Sequence, residues 1–286
     1  MGKAAWAALG VGALLVAERR ARGALARRSR LLSTRLGPVE VEVTGAGPDV
    51  LVLHGSGGGF DQGTWLARAL DLRAQRVIAV SRPGYLRTPD RETLDEAVEL
   101  YVATLDALGV ERAAVLGGSG GGMSAAVLAA RHPERVSALV MLSAVSGPVT
   151  EAGASLALYM ARATLDLNTT VVRAVRRRSH LALLLELAST LAAPDQRVRG
   201  VLRDLAISRS FVAQRVSVPT LVIHGTADRA VAFAHAERTQ AGCADSELVA
   251  IEGGGHLCCL THAEVGERIR AFLAAHSAHV TLPAAG

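Results

Sequence analysis

Lysine is almost missing from this chain: Lys3 is the only one in 286 residues, and arginine supplies the rest of the positive charge. That absence argues against a phosphate-cradling loop, which needs a lysine directly after its glycines. Cysteine is scarce as well. Cys243, Cys258 and Cys259 make an odd set with two neighbours, which suits reduced, small apolar residues rather than a disulfide framework. Neither they nor the histidines show zinc-ligand spacing, so no metal and no cofactor is expected. Aromatic residues are only 3% against 50% hydrophobic overall. The chain can bury a large core, and any pocket it forms is expected to be aliphatic.

The formal charge of +5 is unevenly placed. Residues 1–30 hold seven basic side chains against Glu18 alone, a local +6 that leaves about −1 for everything after. The body is close to neutral, so nucleic acid is not an expected partner. The same segment carries an uncharged apolar run from Ala4 to Ala17, followed at once by Glu18 and arginines. A bilayer crossing takes about 20 apolar residues, and this run is shorter. Three readings fit it: a helix on the cytoplasmic membrane face with arginines on anionic lipid, a helix packed on the body or a partner, or a signal peptide cleaved near Ala24-Leu25-Ala26. The expected location is cytoplasmic, with peripheral membrane contact through residues 1–30.

Beyond Pro38 the pattern alternates between short β-branched runs and longer helical stretches. Val39–Val43 has period two and reads as a half-exposed strand. Val50–Leu53, Val77–Val80, Ala113–Leu116, Ala138–Leu142 and Leu221–Ile223 are continuous apolar runs, as parallel strands covered on both faces should be. Glu247–Ile251 supplies a last strand. Thr93 to Leu108 opens with a Thr-x-x-Glu capping box and stops at Gly109. Gly121 to Arg131 is a second, Ala-rich helix, stopped by His132-Pro133. This order predicts a doubly wound, mostly parallel α/β sheet with ligands at the strands' carboxyl ends. From Gly147 to Ser217, about 70 residues run without a strand, too long for a loop and expected to be a helical insertion. In it Tyr159, Met160 and Leu165 could face a pocket, and Arg173–Arg178 is expected to be a solvated face.

Four motifs stand at strand ends. Ser119 lies in Gly117-Gly118-Ser119-Gly120-Gly121, between an apolar strand and a helix. A nucleophile on so sharp a turn needs small residues two before and two after it. His54-Gly55-Ser56-Gly57-Gly58-Gly59 follows Val50–Leu53, Asp228 follows Leu221–Ile223, and His256 follows the last strand. Asp245 is the alternative acid, lacking a strand end before it, and no acid follows Leu142-Ser143-Ala144.

With these motifs the chain resembles the α/β-hydrolase fold family over about residues 35–275. The resemblance implies a nucleophile at Ser119, a general base at His256 and an orienting acid at Asp228, with the oxyanion held by the backbone N–H groups of Ser56 and Gly120. His54 then belongs to the loop scaffold. The resemblance divides the chain into an N-terminal segment (1–34), a first core part (35–146), a helical cap (147–217) and a second core part (218–286). The implied activity is hydrolysis of a carboxylic ester, on a small-molecule acyl substrate, through an acyl-enzyme. His-Gly-Ser-Gly is also similar to hydrolases that cleave carbon–carbon bonds of ring-fission diketones, which show proline where this chain has Gly58. Amide hydrolysis and a non-catalytic small-molecule receptor on the same fold are the remaining alternatives.

Overall fold

The computed structural model describes residues 22–148, 178–191 and 193–276. Eight strands form one sheet: β1 (Arg30–Thr34), β2 (Gly37–Thr44), β3 (Asp49–Leu53), β4 (Arg76–Val80), β5 (Ala113–Gly118), β6 (Val136–Leu142), β7 (Thr220–Gly225) and β8 (Ser246–Ile251). Their spatial order is β1-β2-β4-β3-β5-β6-β7-β8. Strands β4, β3, β5, β6, β7 and β8 are parallel, and the β1–β2 and β2–β4 pairs are antiparallel. This is the doubly wound, mostly parallel α/β sheet that the alternation of strands and helices predicts.

Strand alternation builds the two faces. Leu51 and Leu53 join Ile78, Val80 and Val115 against helices α3 (Leu94–Ala107) and α4 (Gly121–Arg131), where they meet Val98, Leu105 and Leu128. Val50 and Val52 join Val77, Ala79, Ala114 and Leu116 on the other face, under α2 (Phe60–Ala69) and the final helix (Ala263–His276), where they meet Trp65, Val265 and Ile269. Both faces are dry, which is why these strands read as unbroken apolar runs. Helix α3 starts at the expected capping box, with Thr93 and Glu96 each satisfying the other's backbone N–H.

One boundary differs from expectation. Residue 34 does not separate a leader from the body, because Arg30–Thr34 is itself the edge strand of the sheet, hairpinned to β2 through Arg35-Leu36. Gly37, at φ +107°, permits that tight reversal. Residues 22–28 are helical (α1) and are tied to the body: Arg28 pairs with Glu42 at 2.9 Å, and Arg22 reaches Asp195 at 2.9 Å. The apolar run 4–17 lies outside the described residues. Among those described, no helix is long and apolar enough to cross a membrane.

Between β6 and β7 the described residues contain helix α5 (Arg178–Ser189), a 3-10 turn at Pro194–Gln196 and helix α6 (Val198–Ser208), with no strand. Tyr159, Met160, Leu165 and the side chains of Arg173–Arg178 lie outside the described residues. The remaining helices are α7 (Ala234–Gly242), the short α8 (Cys258–Thr261) and α9, the final helix already named. All six parallel strands end on one edge, and the loops that follow β3, β4, β5, β7 and β8 meet there.

Candidate active site

Ser119 opens the two-residue corner between β5 and α4 at φ +50°, a left-handed conformation that costs a non-glycine residue about 1–3 kcal/mol. Neighbours hold it there. Its N–H donates to Leu142 O at 3.1 Å, and its own carbonyl accepts from Gly122 N at 3.0 Å and Val145 N at 2.9 Å. The flanking glycines are demanded by space. A Cβ on Gly117 would fall 2.6 Å from that of Ala125, and one on Gly121 would fall 2.2 Å from Leu53 O.

Asp228 sits in the turn after β7 and His256 in the loop after β8. The two loops interlock because Gly225 has no side chain: a Cβ there would lie 2.2 Å from Gly254 O. Asp228 Oδ1 accepts backbone N–H bonds from Ala230 (2.8 Å) and Val231 (2.9 Å). Its Oδ2 faces His256 Nδ1 at 2.8 Å, and His256 Nε2 lies 3.0 Å from Ser119 Oγ. A carboxylate beside Nδ1 fixes the proton on that nitrogen, so Nε2 presents its lone pair to the serine hydroxyl. Burial alone would push the Asp228 carboxyl up, but the charge of His256 and hydrogen bonds from His224 and His256 outweigh it, and the group lies well below the usual carboxylate range.

The competing acid, Asp245, is at the opposite edge of the sheet. Its carbonyl accepts from Thr220 N at 3.0 Å, at the amino-terminal end of β7. The structure thus brings Ser119, His256 and Asp228 together and leaves Asp245 far from them.

The Ser56 loop lies against the corner from the other side. A Cβ on Gly120 would be 3.4 Å from Ser56 N and 2.3 Å from Ser56 Oγ. Among the described residues neither the Ser56 N–H nor the Gly120 N–H has an acceptor. His54 is fully buried and scaffolds this loop: its Nδ1–H donates to Gly55 O at 2.7 Å, and its Nε2 accepts the Arg82 N–H at 3.0 Å. That geometry requires the neutral ring. Burial and the nearby Arg82 charge push its pKa well below the ordinary value, in agreement.

Four residues at the site are not apparent from the sequence motifs. His224, four positions before Asp228, turns its Nε2 to Val231 O at 2.9 Å and to Asp228 Oδ2 at 3.1 Å. Because a carbonyl only accepts, Nε2 carries a proton, and His224 backs the carboxylate from the side away from His256. Arg82, Tyr85 and Asp204 form a buried cluster behind Ser56. Its only local signal is the polar run Ser81-Arg82-Pro83-Gly84-Tyr85 after the β4 strand end; nothing near Asp204 announces it. Cys258 is buried within 3.7 Å of Ser143 Oγ, and burial pushes its thiol up to about 12, so it behaves as a small apolar residue. Among the described residues no cluster of His, Cys, Asp or Glu could hold a metal ion.

Residues 48–206 match the α/β-hydrolase fold family. The chain is 36% identical to an uncharacterised hydrolase of Bacillus subtilis over 42% of its own length and 43% of that protein's. It is 32% identical to a 2-hydroxymuconate semialdehyde hydrolase of Pseudomonas putida, over 77% of this chain and 84% of that one. Its structure superposes on an α/β-hydrolase fold protein from Nakamurella multipartita with a TM-score of 0.75 and 34% identity, covering 86% of this chain and 98% of the other. A match across more than half the chain, on a sheet whose strand ends gather a serine, a histidine and an aspartate, places this protein in the α/β-hydrolase fold family.

Proposed function

We propose that this chain is a serine hydrolase in which Ser119 attacks a substrate carbonyl carbon. The observation that carries this reading is the unbroken relay from Asp228 through His256 to Ser119 Oγ, beside two backbone N–H groups that have no acceptor among the described residues. His256 takes the serine proton as the C–O bond forms, and the carbonyl oxygen acquires its negative charge where the Ser56 and Gly120 N–H groups can stabilise it. Loss of one such donor typically costs about 3–4 kcal/mol of barrier. His256 then protonates the leaving group, and water repeats the sequence on the acyl-enzyme to release the acid. Asp228 holds the imidazole in the right tautomer and stabilises its cationic form.

A carboxylic ester is the proposed substrate class. The test is labelling by a fluorophosphonate, wild type beside Ser119→Ala, followed by turnover of p-nitrophenyl esters of increasing chain length. Serine-dependent labelling with ester turnover is expected; labelling that survives in Ser119→Ala would rule the reading out.

A second reading is favoured by the 32% identity to the 2-hydroxymuconate semialdehyde hydrolase, together with the resemblance of His54-Gly55-Ser56-Gly57 to carbon–carbon bond hydrolases. The same relay then serves a ketone carbonyl, and the leaving group departs as a resonance-stabilised carbanion instead of an alkoxide. Loss of the conjugated chromophore of a ring-fission diketone, with esters inert, would select this reading over the first.

A further inference from the structure

The Ser56 loop poses a mechanical problem. Between His54 and Phe60 the chain reads Gly-Ser-Gly-Gly-Gly, so Ser56 is the only residue there with a side chain by which the backbone can be held. Glycines make a close approach to substrate easy and a fixed orientation hard. The one handle is taken by a residue from α6: Ser56 Oγ donates to Asp204 Oδ2 at 2.6 Å.

Asp204 is a hub. The same Oδ2 accepts from Tyr85 OH at 2.6 Å, and Arg82 clamps both carboxylate oxygens at 2.8 and 2.6 Å. Tyr85 OH in turn accepts the Gly57 N–H at 3.4 Å, and the Arg82 N–H holds His54. The loop is therefore gripped at His54, Ser56 and Gly57 by Arg82, Asp204 and Tyr85, and the first and last of these both bond to the Asp204 carboxylate. Gly120 abuts the same group, since a Cβ there would lie 3.2 Å from Asp204 Oδ2 as well as 2.3 Å from Ser56 Oγ.

Helix α6 is oriented for this contact against its own hydrophobic pattern. Val198 and Leu202 are about half exposed, at 48% and 54%, while Asp204 is 6% exposed. Burying a charge is costly unless it is paired and fully hydrogen-bonded, and an inward aspartate with outward leucine is not what packing alone selects. The helix is also pinned where it crosses the core: Gly200 N donates to Gly84 O at 3.0 Å, and Arg203 bonds Asp90 Oδ1 at 2.9 Å and Thr93 O at 2.6 Å. Arg82 neutralises Asp204, so the carboxylate can stand beside a developing oxyanion without opposing it.

We propose that Asp204 is a positioning residue that orients the Ser56 N–H through the Ser56 hydroxyl, so that the seating of helix α6 on the core sets the competence of the oxyanion site. This rests on the serine-hydrolase reading above. A second buried pair offers a control: Arg197 clamps Asp61 at 3.2 and 2.9 Å and joins the same segment to the core beside Gly59, at the other end of the Ser56 loop.

The test compares Ser56→Ala, Asp204→Asn, their combination and Asp61→Asn with wild type, by ester kinetics and by amide hydrogen exchange. Ser56→Ala is expected to lower kcat about tenfold and Asp204→Asn about thirtyfold or more, each with KM within about twofold. The combination should be no slower than Asp204→Asn alone, because both changes break one link. Amides of Gly57 and Gly58 should exchange at least about tenfold faster in both single variants. Asp61→Asn should lower Tm while leaving kcat within about twofold. Wild-type kcat in Ser56→Ala, multiplicative losses in the combination, unchanged exchange at Gly57 and Gly58, or an Asp61→Asn kcat loss matching that of Asp204→Asn would each overturn the proposal. Failure of the serine-hydrolase reading shows separately, as fluorophosphonate labelling that is absent from wild type or persists in Ser119→Ala.

Discussion

Two sets of polar residues meet at the carboxyl edge of the sheet, and they are assembled by different means. Ser119 and Asp228 each sit one short turn beyond a buried strand of the core and His256 in the loop after β8, and backbone hydrogen bonds of those turns hold them in place. Arg82–Asp204 and Arg197–Asp61 instead join the core to the segment between β6 and β7 by buried ion pairs, with side chains 2–8% exposed. In the first set geometry comes from the backbone and charge is used for chemistry. In the second, charge supplies the geometry. Changes in the first set should therefore show directly in rate, and changes in the second in the seating of the insertion, reaching the rate only through the Asp204–Ser56 link.

The sharpest break would come from Ser119→Ala or His256→Ala, each expected to lower kcat by on the order of 10⁶-fold with Tm unchanged or raised, since the three groups act as a unit. Asp228→Asn should follow at about 10⁴-fold, because the amide can favour the wrong histidine tautomer; steady-state kinetics and circular dichroism would check that rate falls and fold persists. On the other side, Arg197→Ala should destabilise by about 3–5 kcal/mol by leaving the Asp61 carboxylate buried without its partner, measurable by urea unfolding with little change in kcat at saturating substrate. A large kcat loss with normal stability would erase the distinction. His224→Gln is expected to cost about tenfold in kcat, the scale of one hydrogen bond to a charged group.

The smallest effect is one of pH. Burial pushes the His54 pKa well below its ordinary value, and burial together with the Arg238 charge lowers that of His235 to about 4. Both groups are depressed in the folded state, so the stability they contribute is fully present above the unfolded value of about 6.5 and is lost as pH falls toward the folded values. Tm should decline between pH 7 and pH 5, before the carboxylates titrate. A Tm that rose over that interval would contradict the neutral assignment of His54.

How much of this the sequence shows depends on how local the cause is. The parallel strands are legible because both sheet faces are covered, which leaves unbroken apolar runs at Val50–Leu53 and Leu221–Ile223. Ser119, Asp228 and His256 are legible because each follows such a run in the expected order. Strand β1 is not: Arg30-Leu31-Leu32-Ser33-Thr34 sits at a sheet edge, with Leu31 48% exposed, and lacks clean alternation. Asp204 is illegible for another reason, since its partner Arg82 lies 122 positions away and α6 turns its polar residue inward. His224 stands in plain view before Gly225, but only the fold shows that its ring doubles back on Asp228.

The edge hairpin has a practical consequence for anyone preparing a shortened protein. A chain that begins at Arg22 still holds both partners of the Arg22–Asp195 and Arg28–Glu42 pairs. Starting at residue 35, the boundary the resemblance implies, would strip β1 from the sheet and lay bare the hydrogen-bonding rim of β2 along Gly37–Val41. An uncapped rim of that kind invites strand exchange between molecules. A truncation at residue 35 would thus be expected to aggregate, whereas one beginning at Arg22 keeps β1 on the edge of the sheet.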